Sequence, residues 1–185
     1  MEKTAVQGVP KSIYVIIVAI LAAMFSYAIF IDTPAPEKTV KEFYQAYFNK
    51  DYDTVAEHLS VFWAVQFLPQ YHNHSPEQLI EKRADIEKDI AQVIKEIEGD
   101  TTYPENLNIK VNSALTKQLE HSAIVGYTFE ENGQTSGMEV AILINEKGAF
   151  RIYSMSPAHP EDLETITEEN MQILDDNFKR LLEEK

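Results

Sequence analysis

The longest apolar run of the chain lies near its beginning, at residues 13–31. It reads IYVIIVAILAAMFSYAIFI, carries no charge and contains Ser26 as its one small polar residue. At about 1.5 Å of rise per residue, a helix of this length crosses the roughly 30 Å hydrocarbon core of a bilayer. The pattern therefore predicts a transmembrane helix over residues 13–31.

The charges on either side of this run indicate its orientation. Lys3 and Lys11 precede it, whereas Asp32 follows it. Because basic flanks stay in the cytoplasm, we expect residues 1–12 to be a cytoplasmic tail and the chain after Asp32 to lie outside the cytoplasm, as in a single-pass protein of the cell membrane. The alternative is a cleaved signal peptide, since Ser26-Tyr27-Ala28 resembles a cleavage site. The run is longer than a usual signal core and continues past that site, which favours a retained anchor.

After a short Pro-containing linker over residues 32–36, apolar residues recur at helical spacing and predict a first helix. A second short helix follows at Asp51, which can cap it, and Ser75-Pro76-Glu77-Gln78 starts a third that is predicted to end at Glu98. The apolar face of the first of these helices consists of Val40, Phe43, Tyr44, Tyr47 and Phe48.

From Leu107 onwards, apolar residues recur at every second position instead of at helical spacing. Alternating segments at residues 107–111, 123–129 and 138–144 and from Phe150 predict four strands, and Asn132-Gly133 has the residues of a tight hairpin turn. Consecutive hairpins form an antiparallel meander, and helices followed by strands are typical of the α+β class. The residues expected to share one core between helices and sheet are Phe43, Tyr47, Leu59, Val125, Val140 and Ile142.

A final helix is predicted over residues 161–182, with Asn170 as a gap in its apolar stripe. The second face of the predicted sheet also carries apolar residues, such as Ile124 and Leu143. Because a solvated face should be more polar, we expect the final helix to fold back and cover it.

The charge of the chain restricts its partners. Acidic residues outnumber basic ones 30 to 16, for a net charge of −14. Such a surface repels nucleic acid and anionic lipid headgroups, so no nucleic-acid partner is expected. Cysteine is absent, which excludes disulfides, thiol chemistry and thiolate metal sites.

Two passages carry a resemblance to a known family. They are PEKTVKEFYQAYFNKDYDTVAEHLS, residues 36–60, and EKGAFRIYSMSP, residues 146–157. The chain resembles the nuclear transport factor 2-like superfamily, in particular bacterial membrane-anchored members with a lumazine-binding-like domain. The resemblance implies a cystatin-like fold over residues 37–157, in which helices pack on a curved four-stranded antiparallel sheet and leave a cone that can hold a ligand. Residues 158–185 would then form an extra C-terminal helix.

Aromatic and histidine side chains are the candidates for a ligand pocket. An isomerase-like or dehydratase-like site would need a carboxylate base beside phenolic donors. No Asp or Glu occurs among the strand residues expected to face inward, so the tyrosines are expected at the edge of an aromatic core and no catalytic residue is assigned. The pocket candidates are Tyr44, Tyr47, His58, Trp63, Tyr71 and Tyr127.

His72 and His74 are the weak candidates for a metal site, because residues two apart point the same way in an extended segment. A zinc site needs three or four placed ligands, and His58, His121 and Glu77 are only candidates for the third. We therefore expect no metal and no cofactor.

These patterns favour a membrane-anchored, extracytoplasmic binding or scaffolding domain without catalytic activity. Its partner would be a protein, a second copy of the chain or a small apolar ligand. One alternative is a subunit of an envelope-spanning secretion or conjugation assembly, whose inner-membrane subunits resemble this layout. The other alternative is a membrane-tethered isomerase-like or dehydratase-like enzyme.

Overall fold

A computed structural model describes Tyr14 and residues 17–22 and 35–184. The chain divides into two compact units, Met1–Pro34 and Ala35–Lys185. The described residues of the first unit are helical. Within the described ranges no helix is both long and apolar enough to cross a bilayer. Most of the predicted span at 13–31 lies outside these ranges, as do residues 1–12 and 32–34.

The second unit belongs to the α+β class, as predicted. Its first helix begins at Ala35, so the last two residues of the predicted linker are helical. The helices are α1 Ala35–Phe48, α2 Tyr52–His58, α3 Val61–Ala64, α4 Pro76–Glu81, α5 Arg83–Glu98, α6 Pro160–Glu164 and α7 Glu168–Glu183. The strands are β1 Leu107–Val111, β2 Lys117–Gln118, β3 Ser122–Glu131, β4 Gln134–Glu146 and β5 Ala149–Pro157.

The four predicted strands form one antiparallel sheet in the order β1-β3-β4-β5. The two-residue strand β2, which also pairs with β3, is an addition that the sequence pattern did not indicate. Its two residues are too few to show an alternating pattern, so only the pairing reveals them.

Two predicted long helices are each divided in two. The predicted capping box at Ser75 is present, but the helix ends at Glu81 and a new one starts at Arg83. The predicted C-terminal helix breaks before Thr167, whose side chain accepts a hydrogen bond from the backbone N–H of Asn170. The side chain of Asn170 accepts in return from the backbone of Thr167. The polar gap in the apolar stripe is thus a helix cap.

The sheet buries both of its faces. One face packs against α1, α2 and α3, and α5 packs on α2 and α3. Together they form the main core, which includes Val40, Phe43, Leu59, Val125, Leu143 and Ile152. The other face forms a smaller core with α6 and α7, made of Leu115, Ile124, Val140, Leu163 and Met171. The C-terminal segment therefore covers the second sheet face, as expected from the apolar residues there.

The assignment of Val140 to the main core was wrong, and that of Ile142 holds only in part. A β-bulge in the β3–β4 hairpin is the reason: Phe129 pairs with Ser136, but the next pair joins Thr128 to Met138. The extra residue of β4 shifts the register by one, and a one-residue shift exchanges the two faces of a strand. Val140 therefore lies in the smaller core, and Ile142 packs at the edges of both cores.

The extra residue is Gly137, and its backbone φ is +36°. An L residue with a side chain is strained in this region. We expect Gly137→Ala to lower the free energy of unfolding by about 1 kcal/mol, measured by chemical denaturation. The exposed neighbour Ser136 gives the control, because Ser136→Ala should change it by less than about 0.5 kcal/mol. Equal effects of the two substitutions would contradict a role for the glycine bulge.

Asp175 holds α7 to β3. Its Oδ1 accepts hydrogen bonds from the backbone N–H of His121 (2.7 Å) and from the Ser122 hydroxyl (2.9 Å). Its Oδ2 lies 3.1 Å from the His121 Nδ1. Burial alone would raise the pKa of Asp175, but the hydrogen bonds from His121 and Ser122 outweigh it and lower the pKa below its ordinary 3.8. The buried carboxylate is thus stabilised in its charged form.

Asp175→Ala should lower the free energy of unfolding by about 1–3 kcal/mol at neutral pH, because two buried donors lose their acceptor. The contribution of a carboxylate with a depressed pKa is present above its unfolded pKa and is lost as the pH falls through the folded value. The difference from the wild type should therefore shrink below about pH 4. Asp176→Ala removes the neighbouring exposed carboxylate, and denaturation curves of this control should match the wild type at every pH.

Candidate functional site

An apolar pocket of about 500 Å³ lies between α1, α2, α5 and the sheet. Eight aromatic residues line it: Phe43, Tyr44, Tyr47, Phe48, Trp63, Phe67, Tyr103 and Phe129. The aliphatic and sulfur-containing side chains of its wall are Val55, Leu59, Ile94, Ile97, Leu107 and Met155. One charged residue, Glu98, completes the described lining.

Helix α1 supplies the largest part of this wall. Residues three and four apart share a helix face, and the broad apolar stripe of α1 contributes four side chains to the pocket: Phe43, Tyr44, Tyr47 and Phe48. Phe43 and Tyr44 also belong to the main core. The Tyr44 ring packs edge-to-face on Phe129 at 5.3 Å between centroids, which joins the helix to the sheet. At the opposite side Phe67 and Ile97 are 47% and 68% exposed, so they mark the mouth of the pocket.

Tyr44 and Tyr127 meet the carboxylate of Glu139 at the sheet side of the pocket. The Tyr127 hydroxyl donates to Glu139 Oε2 at 2.7 Å. The Tyr44 hydroxyl lies 2.7 Å from the Tyr127 hydroxyl and 3.3 Å from the same Oε2. Burial raises the pKa of both phenols well above the ordinary value of 10.0. Both tyrosines are therefore neutral hydrogen-bond donors at any physiological pH.

Glu139 was missed in the sequence, which had indicated no carboxylate on the inward strand face. The bulge at Gly137 pairs Glu139 with Tyr127, so the two side chains lie on the same face of the sheet. Without the bulge, Met138 would pair with Tyr127 and Glu139 would point to the other side. A glycine inside a strand pattern is the signal for a bulge, and Gly137 was the available indication.

A second tyrosine–carboxylate pair lies at the α5 side of the pocket. The Tyr103 hydroxyl donates to Glu98 Oε2 at 3.1 Å. The Tyr103 ring lies 5.4 Å from the Tyr47 ring and 5.6 Å from that of Phe48. Burial raises the pKa of Tyr47 and Tyr103, so these phenols are also neutral donors. Glu98 and Tyr103 were not among the sequence candidates, because one ends a helix and the other lies in a loop.

Four of the six pocket candidates come together. Tyr44, Tyr47 and Trp63 line the pocket. Tyr127 lies behind this wall, fully buried and hydrogen-bonded to Tyr44.

The other two candidates lie elsewhere and do not line the pocket. His58 Nε2 is 3.8 Å from Glu42 Oε2, and burial lowers the pKa of this histidine. The Tyr71 hydroxyl donates to Asp89 Oδ2 at 2.9 Å. Burial and this carboxylate raise the pKa of Tyr71 to about 12. Neither residue shares a hydrogen bond with the tyrosines of the pocket.

The histidine pair of the loop before α4 does not assemble with further ligands. Among the residues that the structure describes, no group of three or more His, Cys, Asp or Glu side chains is placed to hold a metal ion. His74 instead packs its ring on Tyr71, at 5.6 Å between centroids.

No family model, no curated protein and no solved structure matches this chain. The chemistry of the pocket is therefore inferred from its own residues. Its described lining holds aromatic and aliphatic surface with a single formal charge, at Glu98. The hydroxyls of Tyr103 and Tyr127 donate to the carboxylates of Glu98 and Glu139.

Proposed function

We propose that this chain is a single-pass membrane protein whose domain, from Ala35 onwards, lies outside the cytoplasm and binds a small apolar ligand without converting it. The observation that carries this proposal is the aromatic pocket of about 500 Å³. Ligand pockets typically have about 300–1,000 Å³ and mostly apolar walls with few polar groups.

The energetics of the pocket favour binding. Each square ångström of apolar surface removed from water contributes about 25 cal/mol. The wall residues Phe43, Tyr44 and Leu59 are also members of the main core, which fixes their positions. A wall held in place by the core needs little reordering when a ligand enters, so less of the binding energy is lost.

The packing of α1, α2 and α3 on one face of a curved antiparallel sheet, with a pocket between helices and sheet, supports the resemblance to the nuclear transport factor 2-like superfamily. Such folds host many unrelated activities, so the fold alone does not decide the function. The pocket chemistry is the stronger argument for binding.

A membrane-tethered isomerase-like or dehydratase-like enzyme is the second candidate. The observation that favours it is the carboxylate of Glu139 beside Tyr44, since such chemistry needs a base and a phenolic donor at an apolar site. Binding is preferred because the hydroxyls of Tyr44 and Tyr127 and the Glu139 carboxylate are hydrogen-bonded to one another. These hydrogen bonds join α1 to the sheet, which is a structural role.

Trp63 allows a direct test, because it is the only tryptophan of the chain and lines the pocket. We expect octanol, added to the full-length chain in lipid nanodiscs, to change the Trp63 fluorescence in a saturable manner. The double variant Phe67→Asn, Ile97→Asn removes apolar surface from the mouth and should weaken binding about tenfold. Ile173→Asn, at an equally exposed apolar residue of α7 (54% exposed), should leave it unchanged. The absence of a saturable signal in the wild type would contradict the binding function.

The membrane part of the proposal has its own test. The chain extracted from membranes should keep residues 13–31, because a retained anchor is not removed by signal peptidase. Intact mass spectrometry measures this directly. A mature chain that begins near Ile29 would show that the segment is a cleaved signal peptide.

A further inference from the structure

We propose that the ligand of the pocket is an apolar cation, a hydrocarbon body that carries an ammonium or quaternary ammonium group. This inference rests on the proposed binding function and names the class of ligand. It follows from the charge, the rings and the hydrogen bonds around Glu98.

The charge of the pocket selects against anions. Glu98 is the one formally charged residue of the described lining, which includes no Lys, Arg or His. A bound fatty carboxylate would be removed from water without a cationic partner, and an unpaired charge is costly to desolvate. A cation can instead pair with the half-buried Glu98 carboxylate.

The rings beside Glu98 add a second attraction for a cation. Tyr103 is hydrogen-bonded to Glu98, and its ring packs at 5.4 Å from Tyr47 and 5.6 Å from Phe48. The face of an aromatic ring carries partial negative charge and attracts ammonium groups, above all quaternary ones. Several rings around one carboxylate therefore form a recognisable site for the head of such a ligand.

The hydrogen bond from Tyr103 also orients the carboxylate. It holds Glu98 Oε2 at 3.1 Å, and a carboxylate has further acceptor positions with which it can pair a ligand cation. The phenols of Tyr47 and Tyr103 stay protonated, since burial raises their pKa, and so add no negative charge. The rest of the wall, which is mainly aromatic and aliphatic, accepts the hydrocarbon body.

Three probes with the same octyl chain test this inference: octyltrimethylammonium, octanol and octanoate. Their affinities are measured by Trp63 fluorescence on the full-length chain in nanodiscs of zwitterionic lipid, with empty nanodiscs as the blank. We expect the ammonium probe to bind about tenfold tighter than octanol, which corresponds to about 1.4 kcal/mol, and octanoate to bind most weakly.

Glu98→Gln keeps the size of the side chain and removes its charge. This variant should lose the preference for the ammonium probe over octanol, and a circular dichroism spectrum and melting temperature like those of the wild type should show that it folds. Glu96→Gln is the matched control on the same helix, because the Glu96 carboxylate is exposed and bonded to Gln92. It should retain the full preference, so any general effect of the acidic surface is excluded.

The outcomes separate the two proposals. If none of the three probes binds, the binding function itself is wrong. If octanol binds but the ammonium probe gains nothing over it, or Glu98→Gln does not change the preference, the binding function stands and the cation inference is overturned.

Discussion

One extra residue in β4, Gly137, sets the register between the two central strands, β3 and β4. It shifts the pairing so that Tyr127 faces Glu139 and Gly126 faces Val140. The first pair brings a carboxylate to the tyrosines at the pocket. The second pair places Val140 on the other sheet face, where it contributes to the smaller core. A single glycine in the left-handed region thus determines the chemistry of both faces.

The second face depends on close packing against the C-terminal helices. A Cβ added at Gly126 would lie 2.9 Å from the Met138 side chain and 3.0 Å from that of Leu163, so α6 approaches the strand at a position where a side chain would not fit. Asp175 then satisfies donors of His121 and Ser122 that this packing removes from water. Apolar contact and a charge-assisted hydrogen bond together hold the end of the chain to the sheet.

The pocket and the main core share residues, which couples stability to binding. Phe43, Tyr44 and Leu59 belong to both. Mutations at these residues would change folding and ligand affinity together, and so would say little about function. Phe67, Ile97 and Glu98, at the mouth and the α5 side, are the positions where binding can be changed separately, because none of them is buried in the core.

Local patterns along the sequence were sufficient to predict the class of the fold, the order of the main elements and several of their boundaries. Local signals were sufficient there: the helical stripe of α1, the cap at Asp51, the box at Ser75 and the Asn-Gly turn. It also indicated Tyr44, Tyr47 and Trp63 as pocket residues and a covered second face. These properties follow from neighbours along the chain, which a pattern of residues expresses directly.

Contacts between residues that are distant in the sequence became apparent only in the folded chain. The bulge at Gly137 changed the partner of every residue of β4 beyond it, and so brought Glu139 to Tyr127, twelve residues away. Glu98 and Tyr103 likewise join the candidate site through the α1 rings of Tyr47 and Phe48, which pack beside Tyr103. Hydrophobic patterns specify which face of an element is buried, but pairing across elements depends on register and packing, which a local pattern does not contain.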